Sequence, residues 1–310
     1  MADAGASGAE VLCVGEVLWD SLPAGLFLGG APLNVACHLR ALGVPAAVVS
    51  RVGADRLGRE AVRRMAGHRV ATDLVQVDPR LPTGFVGVSL DAAGNAEYDI
   101  VAPAAWDAIE STDQLLARAR RARAVVFGTL AQRATATHTT VERLWDSGTL
   151  LVFDVNLRAP HYTPRSVERS LHRSGLVKLN DGELRRIAEW FGLPRETRAA
   201  AEALAERFGC GAVAVTRGAC GAALWRDGAW TEHEGFAVEV ADTVGAGDAF
   251  LAALLAALFE GAGDEAALRR ANALGALVAS RPGAVPAVEA DALAELAARG
   301  AGRRAQATGV

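Results

Sequence analysis

Lysine is nearly absent from this chain of 310 residues, although lysine and arginine together number 32. With alanine very common, that skew reads as a GC-rich coding bias and not as chemistry. There is no surplus of positive charge either. The formal net charge is -4, which gives no support to nucleic acid or an anionic membrane as a partner, since both call for a basic surface. Long apolar runs are missing as well. The longest, Ala249 to Phe259, is too short to cross a bilayer. The first ten residues are small and acidic, unlike a signal peptide. Cysteine is scarce: Cys13, Cys37, Cys210 and Cys220 form no Cys-x-x-Cys pair, as expected of reduced thiols in the cytosol. The expectation is a soluble, cytoplasmic protein.

What the chain does have is apolar mass, 51% of its residues, enough for one large core. Short apolar runs alternate with helix-period segments. Val11–Gly15, Ala46–Val52, Ala124–Gly128, Leu150–Val155, Leu176–Leu179 and Ala212–Val215 are apolar at nearly every position, as strands covered on both faces should be. Between them, Leu33–Leu42, Arg59–Gly67, Asp113–Arg121, Thr135–Trp145, Ser166–Ser174, Gly182–Phe191 and Ala199–Phe208 read as helices, and Ala246–Glu260 and Glu265–Ala279 follow later. This alternation predicts an α/β fold with a doubly wound, mostly parallel sheet. One region breaks the rhythm. Gly84–Leu90 and Ala96–Val101 flank the turn signal Asp91-Ala-Ala-Gly-Asn95, predicting a hairpin. Pairing of that hairpin with the non-helical stretch Val17–Leu28 gives a small sheet suited to act as a lid. The expected organisation is one domain over 9–300 with lid segments at 17–30 and 83–105, and a disordered tail over 301–310.

Three stretches carry candidate chemistry. In Asp242-Thr-Val-Gly-Ala-Gly-Asp-Ala-Phe250, Gly245 and Gly247 with Ala246 between them let backbone N–H groups approach an anion. The apolar helix that begins there turns its positive end to the same place. Asp248, in the first turn, can accept a proton from a hydroxyl attacking a phosphate; an ordinary helix start explains the pattern equally well. In Leu28-Gly-Gly-Ala-Pro-Leu-Asn-Val-Ala36, Gly29 and Gly30 expose backbone, and Asn34 either caps a helix or binds a hydroxyl. Asp20, in Gly15-Glu-Val-Leu-Trp-Asp20 after the first strand, suits vicinal hydroxyls, or is simply a turn residue. The Walker A pattern and the Gly-x-Gly-x-x-Gly loop are both missing, so neither a P-loop NTPase nor a Rossmann dehydrogenase is indicated.

Taken together, these stretches resemble the ribokinase/fructokinase-type (PfkB) carbohydrate kinases from about Val11 to about Ala298. Asp154-Val-Asn-Leu-Arg158, Lys178-Leu-Asn-Asp-Gly-Glu183, Thr216-Arg-Gly-Ala-Cys-Gly221 and Ser280-Arg-Pro-Gly-Ala284 extend the resemblance. It implies a ribokinase-like sheet with a β-sheet lid, and ATP, Mg²⁺ and in many members K⁺ as cofactors. It also implies the site. Asp20, Gly29, Gly30 and Asn34 hold the sugar, with Arg158 contacting an anionic substrate or a phosphate. Asp248 is the base, and the N–H groups of Ala246 and Gly247 form the anion hole. Asn180 and Glu183 face the Mg²⁺–phosphate region, Glu183 through water, and double as a capping box. Thr216, Gly218 and Gly221 line the nucleotide, and Asn272 approaches its base or ribose or else faces solvent. Asp242 and the backbone of Val244, Val278, Arg281 and Gly283 surround the monovalent cation, although Ala287 stands where some ribokinases carry a serine.

The Gly-Gly-Ala-Pro-x-Asn form and Asp-Val-Asn-Leu-Arg are similar to fructokinases more than to ribokinases, so fructose to fructose 6-phosphate is the expected reaction. 2-Keto-3-deoxygluconate, ribose or a nucleoside are the alternative acceptors, and a non-catalytic sugar sensor on the same fold is a remote one. The partners expected are the sugar and ATP, with a homodimer through the exposed lid edge.

Overall fold

The computed structural model describes residues 10–22, 25–90 and 96–299. The turn expected at 91–95, nearly all of the acidic N-terminus and the tail expected to be disordered lie outside the described residues.

The chain divides into two compact units, residues 1–177 with 206–210, and residues 178–205 with 211–310. The first unit begins with β1 (Val11–Val14), β2 (Leu18–Leu22), β3 (Gly25–Gly29), α1 (Ala31–Ala41), β4 (Ala46–Gly53), α2 (Arg56–Gly67) and β5 (Val75–Asp78). It continues through β6 (Gly84–Leu90), β7 (Ala96–Ile100), α3 (Asp113–Ala119), β8 (Ala124–Gly128), α4 (Thr135–Leu144), β9 (Leu150–Asp154) and α5 (Pro164–Leu171). Strand β10 (Leu176–Asn180) belongs to both units, the division falling between Val177 and Lys178. The second unit has α6 (Asp181–Phe191), most of α7 (Thr197–Phe208), β11 (Ala212–Thr216), β12 (Ala222–Arg226), β13 (Ala229–His233), α8 (Ala246–Phe259), α9 (Asp264–Ala279) and α10 (Ala290–Ala298).

In the first unit the strand order of the large sheet is β10-β9-β8-β1-β4-β5. β1 runs parallel to β4 and β8, β8 to β9, and β4 to β5. Every residue of β1 is buried, which is why the sequence shows a continuous apolar run in place of alternation. In the second unit the order is β13-β12-β11-β10, and the β11–β12 and β12–β13 pairs are antiparallel. The whole is a mixed α/β fold with a large, mostly parallel sheet and a smaller one.

The smaller sheet has the order β3-β2-β6-β7. β2 pairs parallel with β6, so the stretch after the first strand does join the hairpin, and β6 pairs antiparallel with β7. Its base is anchored by Arg133, whose guanidinium donates to both oxygens of Asp107 at 2.7 and 2.8 Å and to the carbonyl of Val101 at 2.8 Å. The same group stacks 3.9 Å above the Trp106 ring. All four thiols are free, with Cys13, Cys37 and Cys210 buried; burial pushes Cys37 and Cys210 up to about 12, so both stay inert thiols at neutral pH. Among the described residues no helix is long and apolar enough to cross a membrane.

Candidate active site

The first unit carries the residues expected to hold a sugar. Asp20 lies in β2, not in a turn, and Gly29 ends the neighbouring β3. A β-carbon on Gly29 would stand 2.6 Å from Asp20 Oδ2, so only glycine lets the carboxylate lie along that strand. Gly30 has φ 119, and a β-carbon there would come within 3.0 Å of the Glu16 carbonyl carbon. The chain is thereby folded tightly enough for Gly30 to serve as N-cap of α1 without a side-chain cap. Glu16 supplies the missing acceptor, its Oε1 taking the Ala31 N–H at 3.2 Å and so satisfying one of the orphan donors of the first turn. Asn34 is buried inside α1 and is not the cap, which removes the capping alternative for that residue.

Burial raises the Asp20 carboxyl from its ordinary 3.8 to about 6, and the charge of Arg158 opposes the rise. Arg158 itself is exposed, with one guanidinium nitrogen 3.1 Å from the Leu157 carbonyl. A small cleft, partly open to solvent, is lined by Glu16, Ala31, Pro32, Thr129, Asp154 and Asn156 among others. It lies past the carboxyl ends of β1, β8 and β9, where ligands bind in open α/β sheets. Asn156 has φ 36, a conformation asparagine tolerates better than most residues.

The second unit carries the glycine turn expected to bind an anion. Gly245 is the N-cap of α8 with φ 77 and no side-chain cap. A β-carbon on it would meet Ala284 at 2.6 Å from the α-carbon, so the 280–284 segment seals the outside of the turn. The Ala246 N–H reaches the Thr243 carbonyl only at 3.3 Å. Asp248 follows in the first turn and is 8% exposed. From 249 to 257 every residue of α8 is buried; a helix apolar all round is held in the core, and its start is held with it. Gly275 of α9 faces the Ala246 carbonyl closely, at 3.2 Å from a notional β-carbon, which allows the two helices to approach at that end.

Asp242 stitches the glycine turn to its neighbour. Its Oδ1 accepts the Val244 N–H at 3.0 Å, and its Oδ2 accepts the Gly283 N–H at 3.2 Å. The Val278 carbonyl accepts the Arg281 N–H at 3.0 Å, and the Arg281 guanidinium bonds the Ala287 carbonyl. Of the residues expected around a monovalent cation, Asp242 and Val244 lie on one loop and Arg281 and Gly283 on the loop bonded to it, while Val278 is in the last turn of α9. Asp242 fits as their organiser, with backbone carbonyls left to supply the coordination.

Asn180 and Glu183 form the expected capping box of α6. The Asn180 N–H donates to Glu183 Oε2 and the Glu183 N–H to Asn180 Oδ1, both at 2.8 Å. Glu183 is buried, and no group of three or more His, Cys, Asp or Glu among the described residues could hold a metal ion. The donor set fits Mg²⁺ held through water and by the nucleotide's own phosphates, not a protein cage. Asn180→Ala is expected to lower stability by about 1 kcal/mol, read as a fall in the urea midpoint.

At the end of β11, Thr216 Oγ1 lies 3.5 Å from the Leu179 carbonyl. The chain turns back at once, with the Arg217 N–H on the Gly221 carbonyl at 2.8 Å. Gly218, φ 54, is exposed with open space around it, whereas the side-chain space of Gly221 is filled by the backbone of residues 233–235. Gly221, with φ 77, therefore admits no side chain and shapes the turn. Asn272 does not face solvent: it is buried, and its Nδ2 donates to the Leu268 carbonyl one turn back at 2.8 Å.

The sequence pattern of the pfkB family carbohydrate kinases matches residues 24–291. A fructokinase of Escherichia coli is 30% identical, with 90% of this chain and 96% of that protein aligned. A probable fructokinase of Arabidopsis thaliana is 27% identical over 91% of this chain and 89% of its own length. Among solved structures, a fructokinase with bound ATP from Xylella fastidiosa superimposes with a TM-score of 0.79 at 25% identity, covering 93% of this chain and 96% of that one. With its glycine turn, first-turn aspartate and family-wide match, the chain belongs to the pfkB family of carbohydrate kinases.

Proposed function

We propose that the protein transfers the γ-phosphoryl group of ATP to the 6-hydroxyl of fructose in the cytoplasm. The observation that carries this reading is Asp248, a buried carboxylate in the first turn of a helix that starts at a glycine turn. The fructokinase relative of Escherichia coli supports the choice of sugar. Asp20 and Asn34 bind the sugar hydroxyls, and the small sheet that carries Asp20 covers them and excludes water. Asp248 takes the proton of the attacking hydroxyl. The N–H groups at the start of α8 stabilise the charge gathering on the phosphoryl oxygens. Asn180 and Glu183 would hold Mg²⁺ through its waters, and the ion would supply neutralisation of phosphate charge. K⁺ beside the loops joined by Asp242 would hold the glycine turn in shape.

Arg158 favours a second acceptor. Its exposed guanidinium acts on Asp20 and suits the carboxylate of an acidic keto-sugar such as 2-keto-3-deoxygluconate. Coupled ADP release across fructose, ribose, tagatose, 2-keto-3-deoxygluconate and nucleosides separates these readings. Run in KCl and in tetramethylammonium chloride at equal ionic strength, it also tests the cation. Fructose is expected to give the highest kcat/KM, and KCl the higher rate. A preference for the acidic sugar or a nucleoside would overturn the assignment, and equal rates in both salts would remove the cation.

A further inference from the structure

Asp20, Val86 and Ile100 stand in one row across the small sheet, Asp20 paired with Val86 and Val86 with Ile100. Residues paired across strands share a face, so the row that carries the Asp20 side chain ends on β7. There Arg133 takes hold of the backbone. Its Nη1 donates to the Ile100 carbonyl at 3.2 Å and its Nη2 to the Val101 carbonyl at 2.8 Å, while Nε and Nη2 hold the two oxygens of Asp107. The Trp106 ring beneath the guanidinium turns its Nε1 to Gly84, the first residue of β6, 2.6 Å from where a β-carbon there would stand. One side chain thus reaches the feet of two strands of the sheet.

The same residue is tied to the cleft. A single 3-10 turn, Leu130–Gln132, separates it from Thr129. Thr129 lines the cleft, and its hydroxyl lies 2.9 Å from the Val155 carbonyl and 3.0 Å from that of Asn156. Between them Ala131 packs on Gly15, its β-carbon 3.0 Å from where a β-carbon on the glycine would stand. Residues 129–133 therefore link the cleft floor to the sheet that carries Asp20.

Stability alone is a weak reason for this arrangement. The Arg133 and Asp107 side chains are 6% and 8% exposed. A buried ion pair adds little net stability, since apolar residues of the same volume often serve as well. What the pair does supply is direction. A planar guanidinium sends its donors out in a fixed fork, and here the fork ties two backbone carbonyls and one carboxylate to a single frame.

We propose that Arg133 is a positioning residue for sugar binding, setting where Asp20 stands relative to the cleft lined by Thr129 and Asn156. This rests on the sugar-kinase reading. Arg133 touches neither sugar nor phosphate; it acts through the row from Ile100 to Val86 to Asp20. A small displacement of that row moves the acceptor away from the hydroxyls it binds, and misplacement by about 1 Å can cost about 10²-fold.

Arg133→Lys keeps the charge and loses the fork. It is expected to raise the KM for fructose about 10-fold or more, with kcat and calorimetric ADP affinity within about three-fold of wild type. Combined with Asp20→Ala, it is expected to add no more than about two-fold, because both changes disable the same contact. A merely structural arginine would lower the melting temperature, leave the KM of the folded enzyme alone and multiply with Asp20→Ala. A folded Lys variant with a KM within about three-fold of wild type, or losses that multiply, would overturn the proposal.

If the Lys variant does not fold, hydrogen exchange of the wild type decides. Coupling is reciprocal, so a clamp that favours sugar binding is itself steadied by the sugar. The Val101 amide, bonded to the Phe85 carbonyl, and the Ala104 amide, bonded to Asp107 Oδ2, are expected to exchange several-fold more slowly when fructose and ADP are added than with ADP alone. Unchanged exchange at both would overturn the proposal. A wild type that phosphorylates no sugar would sink the kinase reading, whereas an active wild type matched by its Lys variant would sink the positioning role alone.

Discussion

Replacing Asp248 with asparagine is expected to lower kcat by about 10³-fold or more, with fructose and ADP affinities changed by no more than a few-fold. The substitution keeps size and shape in a position that is 8% exposed, so the fold has little to adjust. It removes the negative charge and with it the capacity to take a proton. Affinities for both ligands, measured by calorimetry alongside steady-state rates, separate this outcome from a damaged pocket. A variant that binds both ligands and turns over near the wild-type rate would show that the proton leaves by another route.

The second large effect is expected at Asp20. Asp20→Ala removes an acceptor of charge-assisted hydrogen bonds, worth about 1.5–3 kcal/mol each. Two such bonds to vicinal hydroxyls correspond to a fall in kcat/KM for fructose of about 10²-fold or more, with ADP binding unchanged. The same carboxyl gives a pH signature. Because burial holds it at about 6, the KM for fructose is expected to rise as the pH falls through 6 and the acceptor is lost. Stability moves the other way. A carboxyl raised in the folded state favours folding while protonated, so its contribution is complete below the ordinary value of 3.8 and is lost as the pH rises through about 6. At neutral pH, Asp20→Asn is therefore expected to raise the melting temperature while weakening sugar binding, a trade of stability for function. A lower melting temperature at pH 7.5 would contradict that account.

Some of this is legible in the chain because local chemistry fixes it. Gly245 needs a positive φ and Asp248 needs a first turn, and both follow from spacing along one helix start. Asn180 and Glu183 stand three apart, the separation of a capping box. The β1, β4, β8 and β9 strands announce themselves as apolar runs covered on both faces. The pairing of β2 with β6 is an expectation from two stretches that break the helical rhythm, and periodicity alone does not show it. Elements at the margins are harder. β5, Val-Gln-Val-Asp, is too short for its alternation to stand out, and α10 ends an alanine-rich region with few periodic cues. The β12–β13 hairpin does carry a usable signal, absent from the strands expected above: Asp227-Gly228 forms its two-residue turn with φ 50 and 86, and Asp-Gly is a strong hairpin marker.

Side-chain roles are less legible, because they depend on contacts distant in sequence. Glu16 caps α1 from 15 residues away. Gly221 is required by the close approach of the backbone at 233–235. Asn272 spends its amide nitrogen within its own helix.

The central claim is that one phosphoryl group passes from ATP to a sugar oxygen under the control of Asp248. Phosphorus NMR of the wild-type protein with ATP, Mg²⁺ and fructose tests it most directly. The account predicts that the γ-phosphate signal of ATP declines as a sugar phosphomonoester signal rises one for one, with ADP as the only other product. Release of orthophosphate in place of the ester, or ATP left intact across all the sugars tested, would contradict it.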